Sequence, residues 1–414
     1  MEKQTGTLRF WLARLCVLLL AGTFLFSGFA KAADPLGMCL KLNAYFRTWG
    51  FEMSDTALPL KIAAVTLATV EFMLGIYLLL GIRRRLTTIA SGLLLATMTG
   101  LTAYIYIYNP VSDCGCFGAA LQLTNGQTLA KNIVLLAAAC YLMSRPGDIR
   151  RLISGRNQWA TSIWALVYII GLSLYSLHFL PLLDFTDFKR GASLQRALFD
   201  PESEESRTTL ANFYAETLDG EAMLGDSLVL LPETFLLTLP DEPTADDGSN
   251  DRINDLYDQC RDAGIPFYAL IADEQSDLYA DWTDRTGAAY PILRTESSML
   301  KAMVRSNPGL LLLKDGAVAA KWSNNNLPES IEEAEQATGE TRYGLLALLL
   351  WFVVPLLVIV VADNIWTGSK RYKRYTTKQT ILKQKKDYET ENRCRQLENE
   401  QEPAGRRSTR QGTE

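Results

Sequence analysis

Two cysteines separated by one glycine, in Asp113-Cys114-Gly115-Cys116, are the residues of this chain best suited to chemistry. Their Cα atoms can be at most roughly 7 Å apart, so a disulfide is within reach if the glycine lets the chain bend. The ring it closes would be small and strained, and strain raises the reduction potential, which suits a bond that passes oxidising equivalents on. A structural staple normally joins distant segments, because closing so short a loop stabilises little. Asp113 either disfavours the thiolate by like charge or serves as a local proton acceptor. Three uses of the pair stay open: redox exchange, Cu(I) binding by soft thiolates, and a structural role. Cys39 is the natural third member; it would resolve a mixed disulfide, shuttle to a partner, or be idle. Cys16 and Cys140 lie in apolar runs and read as small packing residues, while Cys394 lies in a basic tail and is expected to stay reduced. A single histidine among 414 residues leaves little room for zinc or haem ligation.

Glu71 stands near the middle of an apolar run, in Thr69-Val70-Glu71-Phe72-Met73-Leu74-Gly75. A carboxylate at membrane depth costs at least about 2.5–3.5 kcal/mol unless it is paired, protonated or wet. It reads either as a proton relay or anchor for a quinone or partner, or as a protonated group bonded to a neighbouring helix. Arg14 is expected to snorkel, and His178 to be an interfacial side chain rather than a ligand.

The elements that must position these groups are membrane helices. Runs at 9–30, 58–80, 87–108, 129–143, 160–183 and 343–361 approach or exceed the roughly 20 apolar residues a span needs. The fourth is short, with a start near Leu123 as the alternative, and the last contains Pro355. Three clusters orient them: Arg83-Arg84-Arg85; Arg145, Arg150, Arg151 and Arg156; and Lys370-Arg371-Tyr372-Lys373-Arg374. Placing all three in the cytoplasm gives six crossings with both termini inside. The connections holding Cys39, the Cys-Gly-Cys pair and residues 185–340 then fall outside, in an oxidising space. Ala30-Lys31-Ala32 before Ala33 imitates a signal-peptidase site, but the preceding run is longer than a usual signal core, so it is read as a span.

Composition agrees with this division. Hydrophobic residues make up 48% of the chain, concentrated in the runs, and the formal charge of −5 averages an acidic middle with a basic tail. Basic residues cluster beside the runs rather than across a face, which argues against nucleic-acid binding. The tail from Lys370 is expected to be partly helical to about Glu400, its first basic cluster lying against anionic lipid.

Residues 185–340 read as an α/β unit. A hairpin-like start at 213–220 precedes strands at 234–239, 266–271 and 290–293 and a hairpin at 309–322 turning on Asp315-Gly316. Helices fall at 252–263, 275–286, 297–305 and 329–337. This order, with Ser306-Asn307-Pro308 before the hairpin, resembles a thioredoxin fold, and Pro308 stands where that family has its cis-proline. The family's Cys-x-x-Cys is absent: Pro240-Asp241-Glu242-Pro243 follows the first strand, and Cys260 is late in a helix. The resemblance therefore implies docking of an extended peptide at Pro308 rather than a second redox centre.

The first 185 residues resemble the DoxX/MauE group of small membrane bundles. The resemblance rests on Phe24-Leu25-Phe26-Ser27-Gly28-Phe29-Ala30-Lys31 leading to Asp34-Pro35, on Glu71 with Gly75, and on Asp113-Cys114-Gly115-Cys116-Phe117-Gly118. The Cys-Gly-Cys loop matches the MauE branch, named for methylamine utilisation, which implies maturation of a periplasmic enzyme by disulfide formation. Vitamin K epoxide reductase and the quinone-linked disulfide oxidases are similar in bundle and loop cysteines but carry Cys-x-x-Cys. A quinone is implied only by that analogy.

The resulting expectation is an α-helical polytopic bundle with an extracytoplasmic thioredoxin-like domain. Residues 1–157 form a four-helix DoxX/MauE-like core, 158–184 a fifth span, 185–340 the thioredoxin-like domain, 341–363 a sixth span and 364–414 a cytoplasmic tail. Cys114 and Cys116, aided by Cys39 and Asp113, would exchange disulfides with an extracytoplasmic client or partner thioredoxin. The competing reading is a non-enzymatic scaffold whose thioredoxin-like domain binds a partner.

Overall fold

Each apolar run forms a helix in the computed structural model, which describes residues 2–51, 53–110, 115–121, 123–220, 225–273, 279–339 and 344–401. The first helix is α1 (Glu2–Ala33). The connection after it, read from sequence as a loop around Cys39, is instead a helix, α2 (Pro35–Thr48). Asp34 starts it by accepting the Gly37 N–H at 2.8 Å, and Pro35 supplies a preset φ at the first helical position. Then follow α3 (Leu58–Leu80), α4 (Arg84–Tyr108), α5 (Asn125–Ser144) and α6 (Gln158–His178). A Thr124/Gln127 capping box begins α5, so the short fourth run extends four residues earlier than its apolar stretch. Six helices of the described chain are long and apolar enough to cross a membrane, and this is a multi-pass membrane protein.

The bundle is tied at both ends. At one, Arg84 donates to the carbonyls of Gly147 (2.9 Å) and Ile149 (2.6 Å), joining the second and fourth connections. Asp363 accepts from the Ser154 amide and hydroxyl and from Asn157 at 2.6–2.7 Å, which fastens the last helix there. The opposite end carries α2, the Cys116 turn and the α/β domain.

That domain begins with α7 (Leu194–Phe199), β1 (Glu216–Thr217) and α8 (Gly225–Val229). Next come β2 (Glu233–Leu239), α9 (Asn250–Ala263), β3 (Phe267–Ala272), α10 (Tyr279–Thr286) and β4 (Ile292–Thr295). It closes with α11 (Ser297–Met303), β5 (Gly309–Lys314), β6 (Ala317–Ser323) and α12 (Ile331–Gly339). The sheet order is β1-β4-β3-β2-β5-β6, with β2 parallel to β3 and antiparallel to β5. Its core β3-β2-β5-β6, with helices on both faces, is the thioredoxin-like arrangement. The hairpin-like start does not form: β1 pairs across the sheet with β4, Glu216 opposite Arg294. Asp315 and Gly316 both take positive φ, 48° and 69°, the conformation a two-residue hairpin turn needs. Separate apolar layers cover the two faces, one around Phe188, Leu236 and Leu300, the other around Phe235, Trp282 and Cys260.

The last helix, α13 (Leu345–Gln401), runs on without a break from the sixth span into the basic tail. Pro355 removes one donor from it, and neighbouring carbonyls of Phe352 and Leu348 are taken by Trp164 and Tyr168 of α6.

Candidate functional site

The site is built where α1 and α3 cross. A Cβ on Gly28 would lie 2.5 Å from the Phe72 nitrogen, and one on Gly75 would lie 2.7 Å from Leu25 Cγ. Only glycine allows this approach, and it brings Ser27 and Lys31, one helical turn apart on α1, against Glu71 of α3. Lys31 donates to Glu71 Oε2 at 2.8 Å and to Ser27 Oγ at 2.6 Å. All three side chains are buried, Lys31 with 2% of its surface exposed.

This network holds the cysteine turn. Lys31 also donates to the Cys116 carbonyl oxygen, and Ser27 Oγ lies 2.7 Å from that oxygen and 2.6 Å from Glu71 Oε2, so its single proton serves one or the other. Gly115 to Gly118 is a turn closed by the Gly118 amide on the Gly115 carbonyl at 2.9 Å, and both glycines take positive φ. Phe117 plugs the turn into the bundle against Phe26, with Lys131 of α5 4.1 Å from its ring centre. The Lys41 stem of α2 packs on Gly115, with Cγ 3.1 Å from where a Cβ would lie. Among the described residues, lysines from three helices thus touch the turn: Lys31 at the Cys116 carbonyl, Lys131 at the Phe117 ring and Lys41 through its stem at Gly115. A cavity of about 100 Å³ opens beside it, lined by Glu71, Cys116 and Asn132 among others.

Glu71 therefore does not stand alone at membrane depth. It is half of a buried ion pair, which removes the cost of a solitary charge. Lys31 is the site residue that sequence reasoning passed over, since it drew notice only within a cleavage-like tripeptide and at the end of the resemblance motif. The signal was available: Glu71 needs a counter-charge, and Lys31 is a cation at the end of the first apolar run, four residues after a serine.

Asp113 and Cys114 lie outside the described residues. Cys39 is fully buried in α2 against Leu60 and Ala64, in a different apolar cluster from Cys116. Burial pushes its thiol up to about 12, outweighing the pull of Lys61. We expect Cys39 to react with a maleimide at pH 8 roughly a thousandfold more slowly than an ordinary exposed thiol, read by mass spectrometry of the intact protein. Cys260 is also buried, its thiol pushed up to about 12 by burial and by Glu233. Cys140 does not pack inside: it faces outward from α5, whereas Cys16 is buried. Among the described residues no three His, Cys, Asp or Glu side chains gather as metal ligands.

The Asn307–Pro308 bond is cis, and Pro308 is itself buried. Asn307 donates to the Asp241 carbonyl at 2.6 Å, strapping this loop to the segment where a thioredoxin carries its cysteines. The same edge faces the bundle: Arg305 pairs with Asp34 at 3.1 Å and Lys301 with Asp55 at 2.7 Å. A cleft of about 310 Å³ lies between them, bordered by Leu36 and Leu40 of α2, His178, Asn307 and Asn325.

Comparison with known proteins gives one family match, on the membrane bundle. The family model "Methylamine utilisation protein MauE" matches residues 9–145. A search of curated proteins found no match. Among solved structures, a secreted Mycobacterium tuberculosis disulfide oxidoreductase, described as homologous to E. coli DsbE, is similar at 15% identity, covering 30% of this chain and 91% of its own, with a TM-score of 0.23. The match to the MauE family model spans the first four membrane helices, and the chain continues into further spans and a domain with the thioredoxin-like sheet order.

Proposed function

We propose that this protein is a membrane thiol–disulfide exchange factor acting at the outer face of the cytoplasmic membrane through Cys114 and Cys116. The observation that carries the reading is the Cys116 turn, fixed by its carbonyl to Lys31 and Ser27, with the Lys131 ammonium over Phe117 and the Lys41 stem packed on Gly115. Positive charge favours the thiolate, the form that attacks a disulfide. The Arg-rich connections and the exit of α13 share the opposite end of the bundle, which supports placing that end in the cytoplasm.

In the reducing direction, one loop thiolate attacks a client disulfide. A loop–client S–S bond forms, the client bond breaks, and a client thiolate leaves. The second loop thiolate then closes Cys114–Cys116 and releases the other client thiolate, so two electrons pass to the client. Client oxidation is the reverse. Either direction is reset by a second dithiol or disulfide protein. The cavity beside Glu71, about 100 Å³, is well below the roughly 300–1,000 Å³ usual for small-molecule sites, so the reading routes no electrons through a quinone. Cys39, thiol-locked in α2, is given no turnover role, and Asp113 is assigned proton acceptance beside the pair.

The test is trapping in cells. Cys114→Ser and Cys116→Ser single variants, quenched with acid and alkylated, should accumulate mixed disulfides with a client. Absence of any adduct from both variants, with no phenotype in the double variant, favours the scaffold reading. That second reading is supported by the missing Cys-x-x-Cys and by the cis-proline edge being turned toward the bundle. Stoichiometric Cu(I) held by the pair would replace both.

A further inference from the structure

We propose that the cleft between α2 and the cis-proline loop seats an extended segment of a partner polypeptide that carries a lysine or arginine, and leads it toward the cysteine turn. This rests on the exchange reading and names the chemistry of its client. Two amide oxygens in the cleft are orphaned acceptors, Asn307 Oδ1 and Asn324 Oδ1. Asn324 is 6% exposed, so its oxygen cannot rely on bulk water, and a buried unpaired acceptor is costly. The Asn307 amide nitrogen already donates to Asp241 O and Thr244 Oγ1, which fixes which end of that side chain is the acceptor. The missing partner is therefore a hydrogen-bond donor.

Charge narrows it. Asp241 and Asp246 line the same wall. Of the cations lining the cleft, Lys301 and Arg305 are held in ion pairs with Asp55 and Asp34, leaving Lys61 on the bundle side. An ammonium or guanidinium meets two amide oxygens and two carboxylates on the thioredoxin-like wall.

Continuity argues for a polypeptide rather than a free amine. The cleft shares Leu40, Asp55, Pro240, Asp241 and Lys301 with an open groove that reaches Pro110. Four residues separate Pro110 from Gly115, so the groove ends at most roughly 18 Å from the cysteine turn. Leu36, Leu40, Ala44 and Arg47, spaced three and four apart, give α2 one face toward this channel, while Cys39 points the other way.

The test is fluorescence anisotropy on the full chain in lipid nanodiscs, with Cys114 and Cys116 both replaced by serine so that no covalent capture contributes. The probes are labelled Ala/Ser nonapeptides with one central lysine or one central glutamine, with n-butylamine as competitor. The lysine peptide should bind at least about tenfold more tightly than the glutamine peptide. Asn307→Leu with Asn324→Leu should remove that preference, and Asn324→Asp, which adds charge without changing shape, should strengthen lysine binding. Equal or absent binding of the two peptides overturns the proposal, as does a preference indifferent to these replacements. Displacement by butylamine at the peptide's own concentration would make the cleft a small-amine pocket and equally overturn it. Exchange of the native pair with glutathione disulfide is read separately, so failure of the cleft and failure of the exchange reading are told apart.

Discussion

Replacing Lys31 by methionine is expected to destabilise the protein by about 3–5 kcal/mol, and replacing Glu71 by methionine as well to recover most of the loss. The single change leaves the Glu71 carboxylate buried with Ser27 as its remaining partner in the network. The double change removes both charges and puts apolar side chains of similar length in their place, which buried pairs often tolerate with little net cost. The Cys116 carbonyl, however, then loses Lys31 as a donor while keeping Ser27, and the turn loses a cation. The double variant should therefore unfold near the wild-type midpoint in detergent yet exchange disulfides at least about tenfold more slowly. A double variant as unstable as the single one would mean that the pair acts through shape alone. A stable double variant with full exchange would remove Lys31 from the positioning role.

Asp34→Ala is expected to release the thioredoxin-like domain from the bundle. Asp34 caps α2 through the Gly37 amide and holds Arg305 from the other domain, while being only 4% exposed. Losing the cap costs about 0.5–2 kcal/mol. Leaving Arg305 without a counter-charge costs about 3–5 kcal/mol, which the chain avoids by swinging the arginine into water. Hydrogen exchange over α2 and around Asn307 should then rise together at neutral pH, with the sheet unchanged. In the wild type the second interdomain pair sets the acid limit. Burial pushes the Asp55 carboxyl up, but Lys301 and Asn43 outweigh it, and the group titrates below its ordinary range. A depressed folded value means that its contribution is complete above the unfolded pKa of about 3.9 and fades as pH falls through the folded one. Docking should therefore survive from neutrality to about pH 4 in the wild type. Unchanged exchange at α2 in the Asp34 variant would contradict this account of the interface.

The parts of the fold that were readable in the sequence are those with a strong local signal. Six long apolar runs can satisfy their backbone in lipid only as helices, and Asp315-Gly316 between apolar residues names its turn. Two elements escaped for the same reason, that their logic is tertiary. In α2, an amphipathic face is split between the cleft and α3, and its start depends on Gly37, where a Cβ would sit 2.2 Å from the capping Asp34 carboxylate. In β1, two residues pair with partners 76 and 78 positions away, which no local pattern reveals. The site was half legible. Glu71 was conspicuous because apolar surroundings make a charge costly. Its partner was hidden by sitting at a helix end where lysines are common, and Lys41 and Lys131 act through packing on a turn rather than through spacing. Cys39 looked available because a connection was expected around it; the helix that forms there turns its thiol inward.

Disulfide exchange by this protein requires Cys114 and Cys116 to interconvert between dithiol and disulfide under conditions a cell envelope provides. A redox titration tests it most directly: purified full-length protein equilibrated in glutathione buffers of graded potential, acid-quenched, alkylated and weighed. Two alkylation sites should disappear together, with a midpoint above about −300 mV, more oxidising than a structural disulfide, and Lys31→Met should shift it. A pair that never oxidises, or one whose bond yields only well below that potential, would contradict the exchange reading.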